Sequence, residues 1–401
     1  MTAVDRSTYD VIIVGARCAG SATAMLLARR GLRVLALDRA RYGSDTVSTH
    51  ALMRGGVLQL QRWGLLDEIV AAGTPPVRRA IFHYPDETTG ISLKPAAGVD
   101  ALYAPRRTVL DRVLADAAIA AGADVRFGVT VTGLLRDDAG RVSGVTGHDR
   151  GGRRLIATAP LTVGADGIRS LVARDAGAAV TRMARGDGSA ILYGYWGDLP
   201  VDGYEWLYAP GTSAGMIPTN DGRTGVFVGT TPARMKAARR AGNAHHAFGA
   251  LLRTVSPEAA ERVSAARAPH RLRGFAGMPG FLRQSWGPGW ALVGDSGCFE
   301  DPLSTHGITD ALRDAELLDA AIGDIHDGTA NEATALAGYQ KTRDALTGRL
   351  FGAVETIASH SWTVPELRRL LLDASSAMSE QVEALQSLDR PDRFASAVQL
   401  I

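Results

Sequence analysis

Cysteine is almost absent from the 401-residue chain, whose two, Cys18 and Cys298, both lie in glycine-rich stretches. A disulfide framework is thereby excluded, and small apolar filler stands against redox chemistry as the role of each. Lysine is nearly as scarce, since Lys94, Lys236 and Lys341 are the only three, which limits mechanisms that need a reactive amine. No charge of one sign dominates: 44 basic against 42 acidic residues leave a net +2 with no basic block, so nothing points to nucleic acid or an anionic membrane surface. No uninterrupted apolar run approaches the roughly 20 residues that span a bilayer. The first residues, MTAVDRSTYD, carry no apolar signal core, so a cytoplasmic location and no membrane span are expected. No metal site is expected either. The length favours two domains over one.

What is present begins at residues 9–38, YDVIIVGARCAGSATAMLLARRGLRVLALD. Residues 11–14 are an apolar β-branched run, 15–20 a turn of small residues, 21–30 carry apolar residues at helical spacing, and 33–37 return to strand. In such a strand–turn–helix–strand unit the turn presents N–H groups and a helix N-terminus to a pyrophosphate. An acidic residue ending the second strand accepts bonds from the adenosine ribose. Asp38 stands there, about 20 residues past the turn. The glycine pattern is incomplete, because Arg17 replaces the middle glycine of Gly15-Ala16-Arg17-Cys18-Ala19-Gly20. Arg17 either turns outward or meets the phosphate as a cation, and an ordinary strand-to-helix turn is the plain alternative for this stretch taken alone.

Residues 39–50 form a polar loop, the kind of segment that displays binding residues. Ser48, Thr49 and His50 offer two hydroxyls and an imidazole, with helix capping the alternative for the hydroxyls. Residues 80–103 read as strand pieces broken by Pro85, Asp86, Gly90 and Pro95. Arg107, Leu110 and Leu114 share one helix face, a solvated Arg106–Arg107 pair being the alternative. A hairpin is expected over 128–145, and a buried strand ends in Gly164-Ala165-Asp166-Gly167. Residues 191–230 are the most aromatic part of the chain, with Tyr193 and Tyr195 on one strand face and Trp196 on the other; core and substrate wall are both open for them. Residues 281–293 lead into a third turn, Gly294-Asp295-Ser296-Gly297, and a helix starts near Gly307 with unpaired N–H groups and positive dipole. Two amphipathic segments, 333–359 and 365–388, follow.

Three glycine turns, at 15–20, 164–167 and 294–297, each preceded by a strand, resemble in order and spacing the FAD-dependent monooxygenases of the p-hydroxybenzoate hydroxylase type and the related geranylgeranyl reductases and flavin halogenases. The resemblance covers about residues 10–322. It implies an α/β fold: a Rossmann-like FAD-binding domain from 1–79, 104–181 and 271–330, a mixed β-sheet substrate domain from 80–103 and 182–270, and C-terminal helices over 331–401. It also implies the cofactor contacts. Gly15, Ala16, Arg17, Cys18, Ala19 and Gly20 would surround the ADP pyrophosphate, and Asp38 would take the ribose, with Arg39, Ser48 and Thr49 in the loop beyond. Arg107 would lie near the pyrophosphate and ribityl chain, Val131 beside adenine, and Asp166 and Gly167 at a motif serving both FAD and the nicotinamide cofactor. Gly294 and Asp295 would hold the ribityl chain, and Pro302, Thr305, His306, Gly307 and Ile308 would border the isoalloxazine ring.

Departures narrow the resemblance. Arg17 replaces a glycine, Asp38 the more usual glutamate, and Glu300-Asp301-Pro302 an apolar-proline run. The halogenase motif Trp-x-Trp-x-Ile-Pro survives only as Ile217-Pro218, which disfavours halogenation although Lys94 leaves it open. The resemblance implies a monooxygenase hydroxylating a small aromatic or polyketide-like substrate with NAD(P)H and O2 through a flavin C4a-hydroperoxide, as a monomer or homodimer. Alkene reduction of the geranylgeranyl type is the alternative, with a flavoprotein that does not turn over as a third reading. His50 and His306 are the catalytic candidates, because an imidazole titrates near neutral pH; bonding to loop backbone is the other reading for each.

Overall fold

The computed structural model describes residues 5–48 and 50–388, so the expectation for Thr49 lies outside the described residues. A six-stranded sheet runs in the order Trp286–Gly287, Trp290–Leu292, Leu161–Gly164, Val11–Val14, Val34–Asp38, Asp124–Phe127, parallel except for the first pair. Its central strands are largely apolar because both faces are covered, as parallel sheets require. Val11, Ile13, Val34 and Ala36 pack on helices Cys18–Arg29, Arg107–Ala120 and Gly307–His326. Ile12, Val14, Leu35 and Leu37, on the opposite face, pack on Val129, Val131, Val142 and Val145 of a four-stranded sheet.

The first helix begins at Cys18 rather than Ser21. Apolar periodicity does not register the small residues of its first turn, which must be small to pack against the neighbouring turns. After the aromatic strands come three helices, Pro232–Arg240, Ala244–Val255 and Pro257–Ala265, started by Thr231, Asn243 and Ser256 caps.

A seven-stranded mixed sheet has the order Arg273–Phe275, Ala190–Gly197, Arg223–Thr230, Thr212–Thr219, Tyr204–Ala209, Arg79–His83, Thr88–Ser92. Alternation divides its side chains. Leu192, Trp196, Leu207, Met216 and Val226 face the three helices, while Tyr193, Tyr195, Tyr204, Trp206 and Phe227 face Ala51 and Ala104. Helices Glu332–Ala358 and Val364–Ser387 close the described chain, the second started by a capping box of Thr363 and Glu366.

Candidate functional site

The three glycine turns meet at the ends of the parallel strands. Gly15 has φ +103°, and a Cβ there would overlap the carbonyl oxygen of Ala165 in the second turn. A Cβ on Gly20 would overlap the Gly15 carbonyl, so both glycines are required by close backbone approach. Gly294 in the third turn has φ +57°, and its Cβ would stand 3.1 Å from that of Ala19. The Ser296 hydroxyl accepts from the Gly167 N–H at 3.0 Å and lies 3.3 Å from Asp166 Oδ1. Nothing in the local sequence marks Ser296 for this role.

The Asp38 carboxylate, 7% exposed, accepts from the N–H groups of Ala16 at 2.9 Å and Ala40 at 2.7 Å. It thus locks the second strand to the first turn, with lone pairs to spare for a hydroxyl. Arg17 reaches Asp111 Oδ2 at 3.1 Å and the Ser44 carbonyl at 3.4 Å. Arg107 grips the same carboxylate with two bonds, 2.8 and 3.1 Å, and the Cys18 thiol is 3.1 Å from it. Burial pushes the Cys18 thiol far above its ordinary range, which makes it inert filler. Asp111, four residues after Arg107 on one helix face, organises this cluster and was legible as an i,i+4 partner.

Asp295 is a half-buried carboxylate raised to about 6 by burial, with Arg107 opposing. Among the described residues no hydrogen-bond donor reaches it, and a Cβ built on Gly307 at the next helix start would stand 3.9 Å from its Oδ1. That helix has no side-chain cap, nor does the helix after Arg17. An unmet carboxylate between two uncapped helix starts fits the hydroxyl-rich ribityl chain and the pyrophosphate of FAD. Asp166 differs, because Ser170 Oγ at 2.5 Å and the Leu171 N–H at 2.6 Å already occupy it, and burial raises its pKa. Gly167 has φ +79° with open space at its Cβ position. Val131 is buried against the parallel sheet, Arg39 is exposed, and the Ser48 N–H donates to the Tyr193 hydroxyl at 3.1 Å.

His50 sits at φ +66°, fully inside, its Nε2 hydrogen-bonded to the Tyr195 hydroxyl and its ring stacked on that of Tyr195 at 5.3 Å. Its Nδ1 has no partner among the described residues. Burial first, then Arg107, Arg106 and Arg273, hold its pKa well below the ordinary value. His306 is also buried, with Nε2 2.7 Å from Gln381 Oε1 and 3.7 Å from Asp310 Oδ1; burial lowers its pKa. Pro302 opens a short turn held by Asp301, Thr305 has φ +51°, and Ile308 is half-buried on the core beside it. Thr309 Oγ1 accepts from the Met53 N–H at 3.2 Å, which ties the His50 loop to this helix start. Leu303 touches the aromatic sheet face, 3.1 Å from the Cβ position of Gly229.

The sequence matches the family described as FAD binding domain over residues 8–351. A digeranylgeranylglycerophospholipid reductase of Methanocella arvoryzae is 28% identical over 353 residues, covering 85% of this chain and 84% of its own. The flavin-dependent brominase Bmp2 superposes with TM-score 0.78 at 18% identity, over 96% of this chain and 99% of that one. PqsL of Pseudomonas aeruginosa, a probable FAD-dependent monooxygenase by its description, gives TM-score 0.73 at 20% identity over 93% and 100%. At these identities the two solved structures speak to fold. With a family match across most of its length and three turns converging on an open carboxylate, the chain belongs to the FAD binding domain family and is an FAD-dependent oxidoreductase.

Proposed function

We propose that this oxidoreductase is a monooxygenase that hydroxylates a small aromatic or polyketide-like substrate, with NAD(P)H as reductant and O2 as oxidant. The observation that carries this reading is the buried His50–Tyr195 pair on an aromatic sheet face, beside the loop and helix start assigned to the flavin ring. FAD, held by the three turns, Asp38 and Asp295, supplies two-electron reduction and O2 activation when bound. The chain's own groups do the rest. Flat side chains at Tyr193, Tyr195, Trp206 and Phe227 match a planar substrate and keep water out. If Nε2–H donates to the Tyr195 oxygen, the free Nδ1 lone pair of neutral His50 accepts the proton of a phenolic hydroxyl. A more electron-rich ring then receives oxygen, general-base help of this kind being worth about 10² to 10⁴ in rate. The uncapped helix start at Gly307 favours negative charge on the reduced ring.

A second reading, reduction of an alkene, draws on the reductase of Methanocella arvoryzae; there Tyr195 would give its proton to carbon. NADPH and NADH oxidation by the FAD-loaded protein, with and without O2, against phenols, aromatic polyketides and geranylgeranyl lipids, separates the two. A product heavier by one oxygen, formed only with O2, supports the monooxygenase. A product heavier by two hydrogens without O2 replaces it with the reductase.

A further inference from the structure

A cavity of about 590 Å3 opens beside the aromatic face, and its wall includes Arg106, Arg223, Arg271, Arg273, Asp45 and Tyr195. Four guanidiniums against one carboxylate leave three uncompensated positive charges. Asp45 is the built-in counter-ion, 3.2 Å from Arg106 and 2.8 Å from Arg273, so it holds two of the forks in place. Arg223 and Arg271 are exposed, and neither side chain has a hydrogen bond or ion pair among the described residues. Like charges gathered around a cavity repel one another, and an oxyanion that accepts from several guanidiniums offsets that repulsion.

The cavity connects to the proposed chemistry through one ring. The Arg106 guanidinium lies 3.8 Å above the Tyr195 ring centroid, and the Tyr195 hydroxyl bonds His50. Arg106 itself is fixed from behind, because its backbone N–H donates to Asn220 Oδ1 at 2.8 Å. An anion seated on these arginines is therefore one aromatic ring away from the imidazole, a spacing suited to a molecule with an anionic end and a flat body.

We propose that this arginine-lined cavity is an oxyanion site that recognises the substrate, which therefore carries a carboxylate or phosphate group. The proposal rests on reading the aromatic face as the substrate wall, but binding is measured without turnover, so its failure is distinct from failure of the monooxygenase reading. The FAD-loaded full-length protein is titrated calorimetrically with phenyl phosphate, benzoate and neutral benzamide, and separately with NADPH and NADH. At least one of the two anions is expected to bind tenfold or more tightly than benzamide at low salt, with the advantage shrinking as salt rises. Whichever anion binds more tightly identifies phosphate or carboxylate as the group. In the double variant Arg223→Gln/Arg271→Gln the advantage should fall below threefold, with benzamide affinity, FAD content and thermal stability unchanged. Equal affinity for charged and neutral probes overturns the proposal. So does loss of NADPH or NADH affinity in the variant with anion binding intact, which would assign the arginines to the dinucleotide.

Discussion

His50 and Tyr195 stack with ring centroids 5.3 Å apart and share a hydrogen bond between Nε2 and the phenol, against a face rich in aromatic rings. The pair joins the loop after strand Val34–Asp38 to the seven-stranded sheet. It sets what the first two predictions measure.

His50→Gln and Tyr195→Phe are expected to retain FAD and its reduction, hydroxylate about 10² to 10⁴ times more slowly, and release more H2O2. Product rate and yield within about threefold of the parent from pH 6 to 9, far below that range, would make the pair structural.

Because the His50 pKa is depressed, the imidazole stays neutral in the fold but gains a proton when unfolded. Its contribution to stability is present above the ordinary histidine value of about 6.5 and is lost as pH falls below it. Stability of the parent should therefore fall more steeply than that of His50→Gln between about pH 6.5 and 4, as read from denaturant midpoints. Parallel curves would show that the imidazole is not buried as described.

Asp295 has the opposite sign. Its folded value of about 6 exceeds the ordinary 3.8, so its contribution in cofactor-free protein is fullest below the ordinary value and is lost as pH rises through about 6. Cofactor-free Asp295→Asn should be more stable than the parent above that pH by about 1 to 3 kcal/mol, discounted for partial exposure, with the gap closing toward the ordinary value. The same variant should hold FAD more weakly by roughly 1.5 to 3 kcal/mol through lost charge-assisted bonds. FAD affinity equal to the parent's removes Asp295 from the site.

Gly15→Ala adds a Cβ at positive φ against the Ala165 carbonyl, whereas Gly167→Ala adds one at positive φ into open space. The first should cost about 3 kcal/mol or more, or abolish folding, and the second about 1 kcal/mol. Equal costs in denaturant unfolding would mean that the first two turns do not touch.

Gly215→Ala would press on the Phe227 ring, which borders Trp206 on the aromatic face. A cost of about 1 to 3 kcal/mol from overpacking, with FAD retained and anion-probe affinity altered, is expected from calorimetry and unfolding. No change in either would place the substrate elsewhere.

Local chemistry determined much of this protein. The apolar runs at residues 11–14 and 34–37 read as buried strands, Asp38 could be placed at a strand end, and the alternation that put Tyr193 and Tyr195 opposite Trp196 is simple pleat geometry. These features repeat within a few residues, so their energies are decided locally. Tertiary structure alone decided that Arg17 meets Asp111, that Ser296 bridges the second and third turns, that Asp166 is spent on a helix cap while Asp295 is left open, and that Tyr195 finds His50. Those partners are separated by four to more than one hundred positions. Whether a carboxylate is satisfied or waiting, and whether an imidazole is charged, depends on what the fold brings within about 3 Å of it and on how much water it excludes.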